Sequence, residues 1–98
     1  MDVPEAALER FLVEWYGPRS PASPIEETAG RLHDGAASIS ALGNKIRLLM
    51  VLAVPADHYT FGVFAAESAE AVARACADAG APAERISAAI GWSAALDC

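Results

Sequence analysis

Apolar and polar positions follow several distinct rhythms along this chain. In "RFLVEWYG", Phe11, Val13 and Trp15 alternate with Leu12, Glu14 and Tyr16, and Gly17-Pro18 closes the run. A period of two in β-branched and aromatic residues predicts a strand. After the loop "PRSPASP" the period changes. Ile25, Ala29, Leu32, Ala36 and Ile39 recur at spacings of four, three, four and three, which is one face of a helix. Ser23, Pro24 and Glu26 predict its start as a capping box with proline in the first helical position. Gly43 predicts its end in a left-handed conformation.

"IRLLMVLAV", Ile46–Val54, is apolar at nearly every position. At that length, between Gly43-Asn44 and Pro55, it predicts a strand buried on both faces. Pro55 to His58 is a turn, and Tyr59–Ala66 alternates again, so the two runs form an antiparallel hairpin. A second helix is predicted from an N-cap at Ser68 to Gly80, with Glu70 in its first turn and Ala69, Val72, Ala73, Cys76 and Ala79 as its inner stripe. In "ERISAAIGW", Ile86, Ala88, Ile90 and Trp92 alternate as in a strand, yet Ile86 and Ile90 are also four apart and the alanines favour helix. The pattern alone fits both.

With a final strand the order is βαββαβ, the α+β ferredoxin-like arrangement, in which two helices cover one face of a four-stranded antiparallel sheet. The other face is left bare. Because the strands are apolar on both faces, that face would be an exposed patch. A homodimer packed sheet to sheet, as in dimeric α+β barrels, removes it. The alternative cover is the chain's own tail, 93–98.

The 98 residues make a single domain, 1–98, of globular composition, 54% hydrophobic and 20% charged. A formal net charge of −6 with the arginines and the one lysine scattered gives no basic footprint for nucleic acid or anionic lipid. No apolar run approaches the roughly 18 residues that span a bilayer. "MDVPEAALERF" lacks the basic start and apolar core of a signal peptide, so a cytoplasmic location is expected. The two cysteines, Cys76 and Cys98, form neither a C-x-x-C motif nor a disulfide framework, which agrees.

Several features together resemble a family of short ferredoxin-like proteins grouped under a domain of unknown function, some of whose members bind nickel. These are Leu12-Val13-Glu14 in the first strand, the hairpin with a short polar turn, the "AESAEAV" start of the second helix, and the Gly80-x-Pro82-x-x-x-Ile86 step. The similarity runs from Arg10 to about Trp92. It implies a strand for the last segment and nickel as a ligand. Family members often carry a cysteine where this chain has Gly62, and several histidines and acids where the first helix here has only His33 and Asp34.

Nickel and zinc take three or four imidazole, thiolate or carboxylate ligands. The candidates are His58 with Asp57 in the turn, and His33. No two histidines lie at helical spacing. A nucleophile needs an adjacent base, and Cys76 falls on an inner helix stripe. A ligand pocket is expected around Glu14, Tyr16, Tyr59 and Trp92, an acid between aromatic walls. The competing reading pairs Glu14 with Arg47 as a structural ion pair in a dimer interface. The sequence therefore points to a homodimeric binding protein for nickel or a small molecule. Two alternatives are a small dimeric α+β barrel enzyme of isomerase or monooxygenase type and a purely structural dimer.

Overall fold

A computed structural model describes residues 8–91 of the chain. Six main elements follow in order: β1 (Glu9–Tyr16), α1 (Ile25–Ala41), β2 (Ile46–Val54), β3 (Tyr59–Ala66), α2 (Ala69–Asp78) and β4 (Arg85–Ala89). Short 3-10 turns occupy Gly17–Arg19 and Pro55–Asp57. The strands form one antiparallel sheet in the order β2-β3-β1-β4. This is the ferredoxin-like α+β fold, and 84-92, where the pattern fitted helix as well, contains a strand. Trp92 and the tail 93–98 lie outside the described residues.

The core lies between the sheet and the two helices. From β1 it takes Phe11, Val13 and Trp15, from β3 Phe64 and Ala66, from α1 Leu32, Ala36 and Ile39, and from α2 Val72, Ala75 and Cys76. The period-two reading of β1 holds along its length. The Trp15 ring is fully buried, and its Nε1–H donates to the carbonyls of Ala81 and Pro82 at 3.0 and 3.1 Å. That bond ties β1 to the segment leading into β4.

The helices depart from the sequence reading in detail. The expected capping box does not form. Pro24 is the N-cap of α1 with an extended ψ of 146°, and the Ser23 hydroxyl instead accepts from the Arg31 guanidinium at 2.9 Å. Thr28 and Gly35 are buried, while Ile25 is exposed and Ala29 half-buried. In α2 the buried stripe is Ala71, Val72, Ala75 and Cys76, so Ala69 and Ala73 face outward. In a helix this rich in alanine, small residues stand on every side and mark no face. The Ser68 cap is present, its hydroxyl accepting the Ala71 N–H at 3.1 Å. Gly43 and Gly80 take the left-handed φ values of 99° and 76° that end the two helices.

β2 is an edge strand and is not buried on both faces. Only Ile46 is buried. Its pairing with β3 slips between Leu48 and Met50, a bulge that adds Leu49. Before the bulge Ile46 and Leu48 stand opposite Ala66 and Phe64, which belong to the core side. After it, Met50, Leu52 and Val54 stand opposite Val63, Phe61 and Tyr59 on the uncovered side. The change of phase explains why the run from Leu48 to Val54 shows no alternation of apolar and polar residues.

Candidate functional site

On the uncovered face, β1 contributes Leu12, Glu14 and Tyr16, which pair with Val63, Phe61 and Tyr59 of β3. On the other side of β1, Glu14 pairs with Arg85, the first residue of β4. Glu14 thus stands between a phenyl ring and a guanidinium. Tyr16 ends β1, Tyr59 begins β3 and Arg85 begins β4, so the cluster occupies one end of the face.

Its geometry is specific. The Tyr16 and Tyr59 hydroxyls both donate to Glu14 Oε2, at 2.5 and 2.9 Å. The two phenol rings stack with centroids 5.4 Å apart and planes 28° from parallel, and Phe61 continues the aromatic row at 5.7 Å from Tyr59. Arg85 Nε stands 4.0 Å from Glu14 Oε1. The segment before β4 is fastened to the end of β1, since the Glu84 N–H donates to the Glu14 carbonyl at 3.0 Å and the Glu84 carboxylate accepts the Tyr16 N–H at 2.8 Å.

The electrostatics follow from these contacts. The hydrogen bond from Tyr16, helped by Tyr59 and Arg85, holds the Glu14 carboxyl below its ordinary value despite partial burial. Burial and the bond to Glu14 push the Tyr59 phenol up to about 12. The Glu14 bond is the main cause that raises Tyr16 as well. Both phenols therefore stay protonated donors, and Glu14 stays an acceptor, across the neutral range.

The structure brings Glu14, Tyr16 and Tyr59 together on the sheet face, while Trp92, the fourth residue expected there, lies outside the described residues. It replaces Arg47 as the base beside Glu14. β3 separates β1 from β2, whereas β4 lies directly against β1 and delivers Arg85. Arg85 escaped the sequence reading because the pattern left its segment between helix and strand. Once β4 is a strand, βαββαβ topology makes β1 and β4 neighbours, so the dipeptide Glu84-Arg85 was the available signal.

The histidines lie elsewhere. His33 is on the solvent side of α1, its Nδ1 3.6 Å from Asp34 Oδ1, with both side chains exposed. Asp57 and His58 are exposed in the β2–β3 turn. His58 has φ 47° and ψ 48°, the left-handed region. Its carbonyl accepts the Gly17 N–H at 2.7 Å and joins the hairpin to the loop after β1. Among the described residues no three His, Cys, Asp or Glu side chains stand together to hold a metal ion. The donors of one chain do not assemble the nickel set that the resemblance implies. Gly62, where the resembling family carries cysteine, is buried on the helix side, and a Cβ there would lie 3.7 Å from the Trp15 ring. The Cys76 thiol is fully buried, and that burial pushes it up to about 12, so it stays protonated and inert.

An open cleft of about 950 Å³ runs between the loop after β1 and the hairpin end, with Pro18, Pro24, Ala53 and His58 among its walls. The Ser20 and Thr60 hydroxyls, 2.7 Å apart, satisfy each other within it. No helix among the described residues is long and apolar enough to cross a membrane.

No protein family and no curated protein matches the chain by sequence. Among solved structures, the fold is similar to the crystal structure of SCO4226 from Streptomyces coelicolor A3(2), at a TM-score of 0.62 and 24% identity, covering 87% of this chain and 99% of that one. At that identity the likeness establishes the βαββαβ architecture.

Proposed function

We propose that the chain works in the cytoplasm as a homodimeric binding protein. In this reading the uncovered sheet face joins two copies, and the Glu14 cluster at its end receives a small molecule. The observation that carries it is the division of that face. Leu12, Met50, Leu52, Phe61 and Val63 form an apolar field with no helix over it among the described residues, bounded at one end by the Glu14 cluster and at the other by Arg10 and Arg47, which flank Ala65.

Exposure supports the dimer. Met50, Leu52 and Val54 are 37%, 45% and 37% exposed in the single chain. Strands about 4.8 Å apart rising about 3.3 Å per residue give a four-stranded face a flat footprint of roughly 500 Å². Side-chain relief enlarges it toward the roughly 800 Å² per partner of an ordinary stable interface. A second copy presents the same apolar field and is the matching cover. Such a sheet-to-sheet pair is the dimeric α+β barrel assembly expected from the sequence. The net charge of −6 speaks against nucleic acid or anionic lipid as partner.

Binding is favoured over catalysis by the state of Glu14. A general acid or base working near neutral pH needs a carboxyl raised toward that pH, and Glu14 is held the other way. The nickel reading stands on the family resemblance, whereas the small-molecule reading stands on an assembled cluster. Hydroxyl-radical labelling at high and low protein concentration tests the proposal. Met50 should be protected at high concentration and labelled on dilution, while Tyr16 stays reactive at both. Fast labelling of Met50 at every concentration would contradict it.

A further inference from the structure

We propose that the Glu14 cluster binds a small organic cation with N–H donors, an ammonium or guanidinium group, in the place that Arg85 now holds. This rests on the reading of the cluster as a ligand site and gives that ligand a chemical class.

The two oxygens of Glu14 are treated unequally. Oε2 accepts both phenol hydroxyls. Among the described residues Oε1 has only Arg85 Nε, and 4.0 Å is beyond hydrogen-bond length. The Glu14 side chain is 14% exposed, and its Oε1 has no close donor within the described residues and is open to one from solvent. The Arg85 side chain is 67% exposed. An ion pair so long and so open holds its partner weakly. The Tyr16 and Tyr59 rings stack on each other and turn their hydroxyl ends to the carboxylate, which leaves the Oε1 side of Glu14 to a different donor. The carboxylate thus selects for a positively charged donor, and the overall charge of −6 draws cations from solution. Because the cluster ends the strands, two copies joined over the apolar field leave it at the mouth of the interface.

The test is an NMR titration of the full chain with phenethylammonium and its neutral isostere phenylethanol, repeated on Arg85→Ala and Glu14→Gln. Phenethylammonium should shift the resonances of Glu14, Tyr16 and Tyr59 and bind several-fold more tightly than phenylethanol. Arg85→Ala removes the competing internal cation and should tighten binding by up to about fivefold. Glu14→Gln should abolish the preference for the cation. If that variant does not fold, the first two comparisons still decide. Equal affinity for the two probes overturns the cation inference and leaves the ligand site standing. Weaker cation binding in Arg85→Ala overturns the displacement of Arg85. No shift from either probe overturns the inference together with the binding reading.

Discussion

The Tyr59 hydroxyl reaches from β3 to donate a 2.9 Å hydrogen bond to Glu14 Oε2 on β1. Tyr16 donates to the same oxygen, and these two residues are all the tyrosine the chain has. Folding therefore favours the protonated phenols. Tyr59 moves from an ordinary 10.0 to about 12. A group whose folded value is raised contributes its stability fully below the unfolded value and loses it as pH climbs through the folded one. The tyrosinate ultraviolet absorbance of the native protein should rise at higher pH than that of the urea-unfolded chain, which titrates near 10, with the Tyr59 half of the change arriving only toward 12. A native titration centred at 10 would show that the hydroxyls are not held.

Glu14 gives the opposite sign at the acid end. Its folded value lies below the ordinary 4.5. Its contribution is complete above 4.5 and falls away as pH drops through the lower folded value. Urea denaturation should show that Glu14→Gln is less stable than wild type at neutral pH. The gap should narrow below pH 4.5. A gap that does not change with pH would assign the loss to packing.

Two glycines of α1 should answer alanine with opposite signs. A Cβ on Gly35 would lie 2.5 Å from the Ala75 carbonyl oxygen and 3.3 Å from the Ala79 Cβ, so α1 and α2 would have to separate. Overpacking of this kind costs about 1–3 kcal/mol, which outweighs the helix propensity gained. Gly30 has nothing within 4 Å of its Cβ position, and Gly30→Ala should stabilise by about 0.4–1 kcal/mol. Paired denaturation curves decide. Equal shifts would mean that the helices do not approach closely at Gly35.

Trp15 joins the sheet to the segment before β4 through its indole N–H. Trp15→Phe keeps an aromatic ring in the core and removes the donor, leaving the Ala81 and Pro82 carbonyls without it. The expected loss is about 1–3 kcal/mol. Because that segment carries Glu84 and Arg85, hydrogen exchange at the Glu84 amide should quicken in the variant. Unchanged exchange would show that the indole does not position this end of the site.

The parts of the molecule legible in the sequence were those with strong alternation or sharp stops. β1, the hairpin, the Ser68 cap and the stops at Gly43 and Gly80 all stand where their residue types put them. Alternation also placed Glu14 and Tyr16 on one face. Their meeting with Tyr59 followed from the βαββαβ topology. What the pattern did not carry depends on contacts distant in sequence. Ser23 bonds Arg31, so the box it spells with Glu26 never closes. The β2 bulge switches phase inside an unbroken apolar run, and no residue type marks it. Arg85 became visible as the partner of Glu14 only when its segment was known to be a strand.

In the proposed function the uncovered sheet face joins two copies of the chain. Sedimentation velocity on wild type and on Leu52→Glu tests it most directly. Leu52 is 45% exposed in the single chain, so the substitution puts a charge in the apolar field without entering the core. Wild type should sediment at twice the 10.2 kDa chain mass and Leu52→Glu at the single-chain mass, with the same far-ultraviolet circular dichroism. A wild type that sediments as one chain, or a Leu52→Glu variant that still pairs, would contradict it.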